Sequence, residues 1–234
     1  MRDSYHEQLL AVTDDLVHMT KLVGTSINQA TQSLLDADLG MAETVIKNDE
    51  LIDELSAEVD ERYMELAARQ HPVATELRTI MSGFRISMSV ERMGDLAVHV
   101  AKQARLRYPR PSIPQELRGT FAQMGGLAEA IVSQAGTLIA SRDLHTVGSV
   151  LDYDDEMDRL HRQLFTIVLS PNWHHGVEAA IDVTLLSRYY ERFADHAVTI
   201  SKRIIHIVTG EPYAAVDVEA AVSEVPMLGG TARS

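Results

Sequence analysis

Glu91-Arg92-Met93-Gly94-Asp95-Leu96-Ala97-Val98-His99-Val100-Ala101-Lys102 returns one hundred residues later as Glu191-Arg192-Phe193-Ala194-Asp195-His196-Ala197-Val198-Thr199-Ile200-Ser201-Lys202. Six of the twelve positions are identical and no gap is needed, so the two segments read as copies of one unit. The duplication extends upstream, where residues 38–55 align without a gap on 143–160. Asp38 meets Asp143, Leu39 meets Leu144, Val45 meets Val150, Asp49 meets Asp154, Asp53 meets Asp158 and Leu55 meets Leu160. Whatever fold the first half adopts, the second half adopts again.

The repeated segment carries apolar residues on a heptad-like spacing: Ile86, Val90, Met93, Ala97, Val100 and Ala104, matched by Leu186, Tyr190, Phe193, Ala197, Ile200 and Ile204. That periodicity predicts a helix with one face turned to a bundle. Prolines stand where helices should stop, at Pro72, at Pro109, Pro111 and Pro114 between the halves, at Pro171, and at Pro212 after Gly210. Each half reads as three helices, over about residues 5–35, 38–69 and 73–107, then 115–141, 143–170 and 175–209. The predicted fold is all-α: two tandem three-helix bundles, residues 1–108 and 115–210, followed by a tail, 211–234, with no sustained periodicity and no assigned chemistry.

Composition agrees with this. Aromatics are 5% of the chain, so packing must rest on Leu, Ile, Val, Met and Ala, which suits helix against helix better than a β-sandwich. The net charge of -13 repels nucleic-acid phosphates and anionic lipid headgroups, and the expectation is no nucleic-acid binding. There is no cysteine, which removes disulfides, thiolate metal sites and thiol nucleophiles and fits a reducing cytoplasm. No apolar run is long enough to span a bilayer, and the opening residues carry no signal-peptide apolar region, so a cytoplasmic protein without direct membrane insertion is expected.

Four pairs of acidic residues occur four apart: Asp49 with Asp53, Glu91 with Asp95, Asp154 with Asp158, and Glu191 with Asp195. Each pair shares a helix face, where like charges cost an isolated helix about 0.2–0.5 kcal/mol, and a bound cation is one physical reason for placing them there. A solvated acidic face is the plainer reading of any single pair. Hairpin geometry separates the two. If the second and third helices of each half turn back near Pro72 and near Pro171-Asn172-Trp173-His174-His175-Gly176, Asp49 comes level with Asp95 and Asp53 with Glu91. Asp154 then comes level with Asp195, and Asp158 with Glu191. Glu91 and Asp95 lie roughly opposite the Ile86–Ala104 seam, and Asp49 and Asp53 flank a stripe of Val45, Ile52, Leu55 and Val59, so the sites are expected at a bundle surface. Four carboxylates without a thiol make a hard oxygen site suited to magnesium, manganese, calcium or iron, and the ligand set alone does not choose among them.

His99, His161 and His196 stand near these motifs but lack consistent repeat mates, and no role is assigned to them. Arg92 and Arg192 follow the motif glutamates directly and are expected to form intramolecular ion pairs. There is no glycine-rich phosphate loop and no Walker motif. A ferritin-like, carboxylate-bridged metal enzyme would need a Glu-x-x-His on each of two helices, and no such pair is present. The chain is therefore expected not to be an enzyme; a carboxylate-bridged metal enzyme of helical-bundle type and a purely structural helical adaptor are the alternatives.

Glu91-Arg92-Met93-Gly94-Asp95-Leu96-Ala97 and Tyr190-Glu191-Arg192-Phe193-Ala194-Asp195-His196-Ala197 resemble the paired signatures of the PhoU family, in its actinobacterial, PhoY-like style. The likeness also takes in the Asp49–Asp53 segment and Leu77-Arg78 after Pro72-Val73-Ala74, and so covers residues 1 to about 210. It implies multinuclear iron or zinc clusters, one on Asp49, Asp53, Glu91 and Asp95, the other on Asp154, Asp158, Glu191 and Asp195. It further implies a negative regulator of the phosphate-starvation response and of phosphate uptake. The implied partners are the ATPase of the high-affinity phosphate transporter, the phosphate-sensing histidine kinase and a second copy of the chain in a homodimer. Recruitment to the inner face of the membrane would come through those partners.

Overall fold

Every long apolar seam in the sequence ends at a turn-forming residue, and the helices follow those limits. In the computed structural model, which describes residues 2–70, 72–212 and 215, they run α1 Arg2–Asp36, α2 Leu39–Gln70, α3 Thr75–Arg107, α4 Arg118–Ser141, α5 Thr146–Val168 and α6 Gly176–Thr209. A 3-10 turn, Gln115–Leu117, leads into α4, and there is no strand among the described residues. Most of the tail 211–234 lies outside the described residues.

Repeat-related aspartates start the second helix of each half. Asp38 accepts a hydrogen bond from the Met41 amide at 3.0 Å, and Asp143 accepts one from the His145 amide at 3.0 Å, each satisfying a donor that a helix start leaves free. α5 begins three residues later than predicted, because Asp143 to His145 form a separate turn held by the Thr146 amide donating to the Asp143 carbonyl. The predicted seams are buried throughout. Ile86, Val90, Met93, Ala97, Val100 and Ala104 are inside, as are Leu186, Tyr190, Phe193, Ala197, Ile200 and Ile204.

Within each half all three helices touch one another, and the halves then join along their first and third helices. α1, α3, α6 and α4 close a ring of four. α2 leans on α1 and α3 from one side, and α5 leans on α4 and α6 from the other. One apolar core runs through both halves. α3 and α6 are antiparallel: Arg107 meets Asp182 at 2.7 Å near one end, and the His99 and Tyr189 rings lie 5.1 Å apart nearer the middle. α1 and α4 are antiparallel too, with Asn28 donating to Glu129 at 2.8 Å and Arg118 reaching Asp36 at 3.2 Å.

The α1–α4 crossing is close because Gly125 has no side chain. A Cβ there would stand 2.4 Å from Thr31 Cγ2, inside any tolerable contact. The space holds Thr31, whose hydroxyl shares a 2.7 Å hydrogen bond with the Tyr190 hydroxyl. Tyr190 is fully buried, so this bond satisfies a polar group that would otherwise be costly inside, and it ties α1 to α6 across the two halves.

Candidate metal centres

The α2–α3 and α5–α6 hairpins place the acidic pairs in the predicted register. In the first half Ser56 and Ser87 share a 2.9 Å hydrogen bond, and the Tyr63 and Phe84 rings lie 5.5 Å apart. In the second, His161 and Ser187 meet at 3.0 Å. Ser56 and His161 are repeat mates, as are Ser87 and Ser187, so one rung of the ladder is kept with a changed side chain. Gly94 lets α2 approach α3: a Cβ there would lie 3.3 Å from Ile52 Cδ1 and 3.4 Å from Asp49 Oδ1. Asp49 thus lies against α3 beside Asp95, as the hairpin argument requires.

Electrostatics report the same neighbourhood. The Asp49 carboxyl is pushed up to about 6, first by burial and then by the charges of Asp53 and Asp95, with Lys102 and His99 working against the rise. Glu91 is raised by burial, by Asp95, and by Asp53 and Asp49, against Arg92. In the second half Asp154 is pushed up to about 7 by burial, then by Asp195, Asp158, Asp155 and Glu191. Glu191 is raised by burial, Asp195 and Asp158, with Arg188 opposing. Each quartet is a set of carboxylates that repel one another across a hairpin. Among the described residues no three of these eight residues bring their carboxylate oxygens within 4.8 Å of one another. Like charges relax apart unless a cation stands between them, so the quartets are neighbours and not closed cages.

Ion pairs to arginine are arranged differently in the two halves. Arg92 bridges Glu91 at 3.5 Å and Asp95 at 2.7 Å, as expected. Arg192 makes no ion pair among the described residues, contrary to expectation. Arg188, one turn earlier, takes Glu191 instead, and Arg162 reaches Asp158 at 3.2 Å. On a helix a residue three before a glutamate is its neighbour and one directly after it reaches it less readily, and here the earlier arginine has it. Arg92 and Arg192 both lie close enough to His196 to hold its pKa down, though burial is the larger cause. His99 binds the Asp95 carbonyl through Nδ1 at 2.6 Å. His161 lies edge-on to Phe165, and burial depresses its pKa.

The donor set fits a hard cation on two counts. Carboxyls held above their ordinary range gain when a positive charge replaces the mutual repulsion. Glu191 Oε2 is also buried without a hydrogen-bond partner, while the side chain is only 13% exposed and Oε1 takes Arg188. An acceptor left open beside three other carboxylates is where a cation gains most.

The sequence pattern that defines the PhoU domain matches residues 16–104 and again 121–204. The chain belongs to the PhoU family. Among its relatives is the phosphate-specific transport system accessory protein PhoU homolog 2 of Mycobacterium tuberculosis, 47% identical over 210 residues, covering 90% of this chain and 99% of the relative. PhoU homolog 1 of Mycobacterium leprae is 46% identical over 210 residues, covering 90% of this chain and 95% of the relative. The crystal structure of PhoU from Pseudomonas aeruginosa superposes with a TM-score of 0.77 at 28% identity, covering 88% of this chain and all of that one. The PhoU structure from Streptococcus pneumoniae, at 22% identity and a TM-score of 0.80 over 88% of this chain and 98% of that one, shares the fold.

One constellation escaped the sequence reading. Glu116, His174 and His175 each offer a ligand atom, and these atoms all lie within 4.8 Å of one another. The His174-His175 pair was the available signal; Glu116, in the linker between the halves, joins it only in the folded chain.

Proposed function

We propose that this protein is a non-catalytic, negative regulator of phosphate uptake and of the phosphate-starvation response, a metal-binding adaptor between the high-affinity phosphate transporter and its sensor histidine kinase. The observation that carries this reading is the similarity over nine-tenths of the chain to proteins named as accessories of phosphate-specific transport. No helix among the described residues is long and apolar enough to cross a membrane. In this reading the protein works beside the bilayer, held at its inner face through the transporter ATPase and the kinase.

In this reading Asp49, Asp53, Glu91 and Asp95 hold one cation centre, iron or zinc by family likeness, and Asp154, Asp158, Glu191 and Asp195 the other. When bound, the metal supplies positive charge that cancels repulsion across each hairpin. The residues themselves do the rest: Gly94 sets how closely α2 meets α3, Arg92 and Arg188 offset the negative charge of the motif glutamates, and Arg192 remains exposed for a partner. Kinase output is then held low by contact while phosphate is plentiful.

Deletion of the gene, together with any paralogue, should leave phosphate-responsive genes switched on in phosphate-rich medium, and a plasmid copy should restore repression. Unchanged phosphate-responsive expression in the deletion strain would end the regulatory assignment. Arg192→Glu should weaken capture of the transporter ATPase or the kinase from phosphate-replete cells without lowering thermal stability. Full restraint and full binding by that variant would remove Arg192 from the contact.

A further inference from the structure

Two histidines and a glutamate meet at one end of the second bundle, outside both acidic quartets. His174 and His175 occupy the turn before α6, and Glu116 lies in the 3-10 turn that enters α4. The Glu116 Oε1 and His175 Nε2 atoms are in direct contact, and the two imidazole rings lie 4.4 Å apart. The turn is braced. Trp173 Nε1 donates to the Gly176 carbonyl at 2.9 Å, and the Trp173 ring meets the His175 ring edge-on at 4.9 Å.

The hydrogen bonding of His174 points to a ligand. Its Nδ1 lies 2.8 Å from the Asn172 carbonyl oxygen, which can only accept, so Nδ1 carries the proton and donates. The lone pair is then left on Nε2. A ring nitrogen anchored to a backbone carbonyl, with the other nitrogen free, is the usual arrangement of a metal-binding histidine. The proton between His175 Nε2 and Glu116 Oε1 would be released to solvent on metal binding, leaving both atoms as ligands.

We propose that Glu116, His174 and His175 form a third metal site, selective for zinc or a first-row divalent ion of similar softness. Two imidazoles and one carboxylate suit such ions better than magnesium or calcium, which prefer all-oxygen sets. Three protein ligands leave the fourth position of a tetrahedral ion to water. Ligands of such an ion stand ~3.5 Å apart, so a set whose atoms already lie within 4.8 Å of one another needs only small side-chain movements to close. Among the described residues the first half holds no such group, and both histidines stand in the turn 169–175 of the second. A bound ion would clip the linker between the halves to the α5–α6 turn. Arg107 already joins the same region from α3, meeting Glu178 at 2.5 Å and Asp182 at 2.7 Å.

Trp173 is the only tryptophan in the chain and touches a ligand, so its fluorescence reports the site directly. The experiment titrates the full chain with zinc chloride in excess magnesium, following Trp173 emission and calorimetric heat together. One equivalent of zinc should change the emission. Glu116→Gln should weaken that event at least tenfold, and the double variant His174→Ala, His175→Ala should abolish it. A variant with Asp154→Asn and Asp158→Asn should keep it, which separates this site from the quartets. His174→Gln leaves the turn and Trp173 in place and serves if the double variant unfolds; it too should lose the event. Zinc that leaves Trp173 emission unchanged, or an emission change that survives in both histidine variants, overturns the proposal.

Discussion

The two acidic quartets descend from one ancestral sequence yet differ in the cations that surround them. In the first half Arg92 spans Glu91 and Asp95, and Lys102 and His99 draw the Asp49 carboxyl back down. In the second half Arg188 and Arg162 hold Glu191 and Asp158, Asp155 adds a further negative charge, and Asp154 rises to about 7 where Asp49 reaches about 6. Duplication preserved the carboxylates and reassigned the arginines around them. The carboxylates are therefore kept across the repeat where the cationic side chains around them are not, and the second quartet should respond more strongly to protons and to added metal.

The largest contrast between the halves is structural. Position 90 is a valine and its repeat mate 190 a tyrosine bonded to Thr31 across the molecule. Tyr190→Ala should cost about 4 kcal/mol, from a large cavity plus the lost hydrogen bond to Thr31, and Val90→Ala about 2 kcal/mol. Urea denaturation of the two variants checks this; equal costs would mean that the lock between halves contributes nothing.

The pH response comes next in size. A carboxyl whose folded pKa lies above its unfolded value of 3.8 favours the folded state while it is protonated. That contribution is complete below about pH 4 and is lost as pH rises through about 7 for Asp154 and about 6 for Asp49. With chelator present, Asp154→Asn should stabilise the protein at pH 8 by about 1–2 kcal/mol after allowance for solvent screening. Asp49→Asn should stabilise it by less, and neither should do so at pH 4. Thermal melts across that range test the order, and a larger gain from Asp49→Asn would reverse the comparison.

The smallest effects belong to the arginines. Arg92→Ala and Arg188→Ala remove ion pairs made by exposed arginines and should each change stability by under ~1 kcal/mol. Arg188→Ala also frees Glu191 Oε1 beside the already open Oε2, so cation affinity at the second quartet should rise severalfold by calorimetry. A fall would show that Arg188 positions Glu191 for the metal.

Much of this was legible in the sequence. The heptad spacing from Ile86 to Ala104 and from Leu186 to Ile204 named the buried faces, and the prolines named the turns, because both follow from local chain physics. The hairpin register followed from the same turns, and it brought Asp49 to Asp95 as neighbours. How the halves join was not legible. Closure of α1, α3, α6 and α4 into a ring depends on Gly125 yielding room to Thr31, a fit between side chains 94 positions apart. The exchange of Arg192 for Arg188 was hidden for a different reason, since both lie within one helical turn of Glu191 and only side-chain packing decides between them. Glu116 and His175, 59 residues apart, meet only through tertiary structure.

The central claim is that each half holds its own cations on its own quartet. The most direct test is the metal content of protein purified without added ions, compared with Asp49→Asn/Asp53→Asn, with Asp154→Asn/Asp158→Asn, and with all four changes combined. The account predicts that each double variant loses the metal of one half and keeps that of the other, and that the combined variant loses both. Quartet metal undiminished in the combined, folded variant would contradict it.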